Sequence, residues 1–164
     1  MSRTARRAIV IASVAFVGFL LAARLRYSGT APLRLPAADC NGDLWRRTYS
    51  PERLHVIEAC TAVEGRVVSV HPAADGDLHI GLDPDPASVL NLVNVIHQRR
   101  RLVVEIVCDH SPADREAAAL CSGFTSPVSV PKVGDRVRVT GAYVTDGDNG
   151  WTEIHPATRI DVLR

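Results

Sequence analysis

Sixteen consecutive residues without a charge, Ala8 to Ala23 (AIVIASVAFVGFLLAA), constrain this chain most, with three arginines before them and two after. A helix of that length rises about 24 Å against roughly 30 Å of hydrocarbon, so it crosses a bilayer if Leu25 joins and the flanking arginines reach the headgroups. The expectation is a signal anchor over residues 1–27, a single transmembrane helix whose positively charged end stays in the cytoplasm. A cleaved secretory signal is the rival. A cut after Ala23 would place Leu21 at the third position back and Arg24 directly after, a poor match to the small-residue rule. Either reading puts the remaining chain outside the cytoplasm, held at the cell membrane or secreted.

The flanking arginines also disguise the charge of the remaining chain. The whole sequence carries a formal net charge of +1, yet after Tyr27 there are 14 basic and 18 acidic residues. An acidic domain is a poor partner for a phosphate backbone, because nonspecific nucleic-acid affinity comes from cations that displace counterions. With only 5% aromatic residues, base stacking has little to work with either. Four cysteines suit an oxidising compartment, and no Cys-x-x-Cys spacing points to a metal. Three pairings are open; the expected one is Cys40–Cys60 with Cys108–Cys121, since each closes a short local loop.

Residues 28–39 (SGTAPLRLPAAD) lack periodicity and read as a tether, leaving 40–164 for one domain. Ser50-Pro51-Glu52 resembles a helix start of one or two turns, with Ser50 as N-cap. The valine-rich stretch CTAVEGRVVSV reads as a strand with a bulge or bend at Gly65. After the turn HPAADGDL, the residues Leu78, Ile80 and Leu82 alternate with His79 and Gly81, giving a second strand. Two prolines in DPDPASVLNLVNVIHQRRR should stop that strand, and the apolar spacing beyond them fits an inserted helix or ordered loop. LVVEIVC returns to strand. SPADREAAALCSG carries helix signals, with Ser111 as N-cap, Pro112 at the first position and Gly123 past the end. Finally, VGDRVRVTGAYV and WTEIHPATRIDVL form a hairpin across TDGDNG.

The expected fold class is therefore all-β: a β-barrel of five main strands with one helix between the third and fourth, plus the N-terminal transmembrane helix. This element order, with the phrase GDRVRVTGAYV, resembles an oligonucleotide/oligosaccharide-binding (OB) fold over about Thr61 to Leu163. SPERLHVIEACTAVEGRV, DGDLHIGL, LVVEIVC and GWTEIHPATRI together resemble a group of bacterial exported, membrane-anchored proteins. That resemblance implies a location and supplies no catalytic residues.

In an OB-like order the third strand lies between the second and the fifth. If Ile80, Val104 and Ile154 face inward, parity sends His79, Glu105, Glu153 and His155 to the opposite face. The plainer expectation is an ordinary solvent-facing polar surface. The sharper one is a zinc-type set, with His79, Glu105 and His155 as ligands and Glu153 as the carboxylate that takes a proton from bound water.

Other motifs carry less. Asp146 to Gly150 (DGDNG) lacks the distal glutamate of a calcium loop and reads as a hairpin turn. Arg99–Arg101 reads as solvated, Trp45 and Trp151 as packing. No serine sits in a Gly-x-Ser-x-Gly elbow. The leading functional expectation is an extracytoplasmic module contacting a protein, peptide or glycan. A small metal-dependent hydrolase is the alternative, and single-stranded nucleic-acid binding is disfavoured.

Overall fold

Alternating leucine, valine and isoleucine, as in Leu78-x-Ile80-x-Leu82 and Leu102-x-Val104-x-Ile106, supply much of the core, and β-branched side chains pack well on a pleated sheet. The structure, a computed structural model, describes residues 33–34, 40 and 42–164. The anchor expected over 1–27 and most of the tether expected over 28–39 lie outside them. Among the described residues no helix is long and apolar enough to cross a membrane. The strands are β1 (Leu33–Arg34), β2 (Leu54–Pro72), β3 (Leu78–Asp85), β4 (Leu102–Ile106), β5 (Arg136–Asp146) and β6 (Thr152–Val162), with helices α1 (Leu92–His97) and α2 (Arg115–Cys121).

All the described strands join one sheet. Strand β2 pairs antiparallel with β1, β3 and β5; β3 pairs antiparallel with β4; β4 runs parallel to β6; and β6 returns antiparallel to β5. Strands β2 to β6 thus pair in a cycle, which needs β2 to serve two partners along its 19 residues. Its register shifts at Val56/Glu58, Glu58/Thr61 and Val67/Ser69 let it bend between them. Gly65, where a bulge was expected, stays in register with both Pro84 and Val137. A Cβ there would collide with the Asp83 carbonyl and the Leu82 side chain, so the glycine permits close approach and the nearest register break falls just beyond it.

Leu78, Ile80, Val104, Ile106 and Ile154 all join the buried core with Val63, Val67, Leu82 and Val139, as the alternation predicts. Full burial of each such side chain contributes about 1.5–3 kcal/mol. Both expected disulfides are present, Cys40–Cys60 and Cys108–Cys121, with sequence separations of 20 and 13. Cross-links over loops of that size stabilise by about 3 kcal/mol, and they fit an oxidising, extracytoplasmic environment.

Three local expectations are corrected. Strand β3 continues through Pro84 to Asp85, because its pairing with β4 ends at Leu82 and beyond that point it has β2 on one side only. A missing N–H is tolerated on such a free edge. Pro51–Arg53 forms a single 3-10 turn, and Ser50 makes no side-chain cap. Helix α2 starts at Arg115, capped by Asp114 through the Glu116 amide rather than by Ser111. The amides of Ala113 and Asp114 are already bonded to the Ala74 carbonyl, which ties this segment to the turn between β2 and β3.

Candidate metal centre

Cross-strand register assembles the polar cluster. His79 stands opposite Glu105 in the β3–β4 ladder, and Val103 and Val104 stand beside Glu153 and Ile154 in the parallel β4–β6 ladder. The next step along β4 and β6 brings Glu105 to His155. Parity places all four on one face, as expected from sequence.

That face is not the solvent surface that was the plainer expectation. Glu105 is 2% exposed, and Glu153 and His155 are 0% exposed. Only His79 reaches solvent, with 41% of its side chain exposed. Arg53 from the turn before β2, Trp151 from the β5–β6 hairpin and Asp77 from the β2–β3 turn close over the cluster. Turn residues, placed by tertiary pairing, convert an outward sheet face into an interior.

His155 is the hub. Its Nδ1 lies 3.1 Å from Glu153 Oε1, within hydrogen-bond geometry. Glu105 Oε2 lies 2.8 Å from the same nitrogen as a charge contact. Glu153 is fixed from its far side by the Trp151 indole N–H, 2.7 Å from Oε2, while the Arg53 guanidinium stands 3.8 Å from Oε1. Arg53 is chiefly committed to Asp146, at 2.7 Å. Once the ring gives up its second proton and keeps the one on Nδ1 toward Glu153, its Nε2 lone pair faces away from that carboxylate.

On that Nε2 side stands Asp77 Oδ2, 3.8 Å away. Asp77 Oδ1 accepts the Cys108 amide at 2.9 Å, so its orientation is set by the disulfide-linked segment just after β4. Among the described residues, Asp77 Oδ2 and His155 Nε2 are buried and have no hydrogen-bond partner, and buried Glu105 Oε2 has only its charge contact with His155 Nδ1. Leaving one such group unsatisfied costs about 1–3 kcal/mol, more when it is charged. One ligand atom from each of these three residues lies within 4.8 Å of the others, a group able to hold a metal ion.

Electrostatics favour a cation at this point. Burial, helped by the charge on Asp75, pushes the Asp77 carboxyl up to about 7. Burial also pushes Glu153 up. At His155 burial disfavours the charged ring, but Glu105 and Glu153 outweigh it and raise the imidazole to about 10. Burial likewise opposes ionisation of Glu105, and the charges of His155 and His79 overcome it, holding the carboxyl near 2. Without a metal, a proton on His155 is the cation between these carboxylates, and a divalent ion would supply one charge more.

The expected ligand set is therefore changed in one member. Glu105 and His155 meet, while His79 Nε2 contacts the other Glu105 oxygen at 3.3 Å and lies outside the group of three. Asp77 takes its place, a residue that reads from sequence only as part of a turn. Glu153, expected to take a proton from water, is enclosed and lies within hydrogen-bond distance of His155 Nδ1. Such a carboxylate behind a histidine ligand fixes the ring tautomer and raises its basicity.

Beside the cluster an open cleft of about 550 Å³ is lined by Glu105 and His79 together with Arg53, His71, Arg101 and Trp151. Trp45 packs on Leu54, Ala142 and Val144, as expected. The DGDNG segment is a hairpin turn: Asp146 Oδ1 accepts the amides of Asp148 and Asn149, and Oδ2 accepts from Arg53 and from the Asn149 side chain. No protein-family model matches the sequence, and no curated protein matches it.

Proposed function

We propose that this chain is a membrane-anchored or secreted extracytoplasmic protein of OB-like barrel architecture that binds one divalent metal ion, of the zinc type, through Asp77, Glu105 and His155. The carrying observation is the convergence of three buried residues that each offer a ligand atom within 4.8 Å of the others, with Glu153 behind the histidine. The cyclic strand order, with its parallel β4–β6 pair, supports the OB-like reading. One imidazole and two carboxylates suit zinc, and three protein ligands leave a fourth position for water or substrate. On the cleft side, a metal-bound water of lowered pKa would make the protein a small hydrolase.

A second reading draws on Trp151 and Tyr49 in the cleft lining, which favour a non-catalytic module gripping a peptide or glycan on aromatic faces. The two separate on metal content. The full-length chain, purified in detergent without a polyhistidine tag or chelator, should carry about one zinc per chain by elemental analysis. Asp77→Asn and His155→Gln should lose it while keeping both disulfides and a cooperative thermal transition. Wild-type protein that takes up no metal after zinc addition would sink the proposal and leave the cleft to the second reading.

A further inference from the structure

Among the described residues, one arginine that lines the cleft has no counter-charge. Arg53 is held by Asp146, and the charge of Glu105 is met by His155. Arg101 is half-buried, lines the cleft, and its guanidinium makes no hydrogen bond or ion pair among the described residues. Its backbone is nonetheless firmly placed. The buried Asn94 side chain donates to the Arg101 carbonyl at 3.0 Å and to the Thr152 carbonyl at 2.8 Å, and accepts the Thr152 amide at 2.9 Å. Arg101 is thus anchored to the start of the strand that carries Glu153 and His155.

A glycine lets the Ser69 hydroxyl and the Arg101 side chain close over β3 beneath it. Gly81 lies two residues from His79, on the same face of β3. A Cβ at Gly81 would collide with Ser69 Oγ and stand 3.4 Å from Arg101 Cδ. The cleft at this point therefore offers a free guanidinium, a hydroxyl and two imidazoles, His71 and His79, next to a carboxylate of the metal group. A planar five-donor fork matches a tetrahedral oxyanion in bidentate fashion, and histidines and a hydroxyl complete such a cradle.

Resting on the metal reading above, we infer that the cleft binds a small phosphate-bearing molecule, with one phosphate oxygen completing the coordination of the ion and the others held by Arg101. The cleft's volume suits a compound of metabolite size. A net acidic domain disfavours a polyanion such as nucleic acid, whose affinity needs many cations.

Inorganic phosphate is the probe, titrated calorimetrically into full-length protein loaded with zinc and desalted. The expected result is one phosphate per chain, no binding to the metal-free protein, and at least about tenfold weaker binding in Arg101→Gln, as loss of a charge-assisted pair predicts. Arg101→Lys should recover part of it, and zinc content and melting temperature should match wild type in both variants. Zinc uptake without phosphate binding, or phosphate binding unchanged in Arg101→Gln, overturns this inference and leaves the metal proposal standing. Acetate displacing phosphate at equal concentration overturns the phosphate class. No zinc uptake at all removes the metal proposal and this one with it.

Discussion

Leu102, Val104 and Ile106 of β4 point into the strand cycle, while Val103 and Glu105 of the same strand point the other way, and all five are at most 7% exposed. The two faces meet burial by different means. Inward, Val104 and Ile106 lie among Ile80, Leu82, Val139 and Ile154, where dispersion and water exclusion suffice and no partner has a required charge. Outward, Glu105 meets His155, Glu153, Asp77 and His79, and each carboxylate must find a cation or a proton. Close packing makes the first face indifferent to ions. Unmatched charge makes the second depend on what occupies it.

The largest effect should come from the apolar face. Ile106→Ala should cost about 2–5 kcal/mol by urea unfolding, and the loss should be the same with and without zinc. A loss that zinc cancels would show that the faces are not independent.

Next, replacing both Cys108 and Cys121 with Ser should cost about 3 kcal/mol and also weaken zinc binding, because the Cys108 amide holds Asp77 Oδ1. Removing the Cys40–Cys60 bridge should cost a similar amount and leave zinc affinity as in wild type, since neither residue touches the cluster. Equal zinc affinity in both double variants would break the link between bridge and ligand.

Zinc itself should stabilise only the polar face. At a free concentration of about one hundred times Kd it should add about 2.7 kcal/mol to wild type and nothing to Asp77→Asn. A thermal shift that survives in Asp77→Asn would place the ion elsewhere. The smallest effect belongs to Glu153→Gln, which keeps the Trp151 contact and a polar group at His155 Nδ1. It should lower zinc affinity by about 10–100-fold with little change in metal-free stability. Unaltered affinity would deny Glu153 its orienting role.

These contrasts also mark what the residues reveal before folding. Alternation in LHIGL and LVVEIVC, turn pairs such as Asn149-Gly150 and the local cysteine spacing act over short distances. From them the order of strands, both disulfides and the shared face of His79, Glu105, Glu153 and His155 can be read. Burial of that face cannot, because Arg53, Asp77 and Trp151 reach it from turns whose positions depend on pairings far along the chain. Asp77 carries the plainest lesson: in DGDL it has the composition of a turn, and only the Cys108 amide and His155 give it another role. Ser111 has sound capping chemistry and loses the position because Ala74 claims the amides that a longer helix would need.

The most direct test of the metal centre is anomalous diffraction at the zinc edge from crystals of the full-length protein grown with one equivalent of zinc. A single strong peak is expected, bonded to a carboxylate oxygen of Asp77, a carboxylate oxygen of Glu105 and His155 Nε2, at about 2.0–2.2 Å from each. A cluster without a peak, with zinc bound only at exposed histidines such as His55 or His97, would contradict the metal centre and leave His155 as an imidazolium buried among carboxylates.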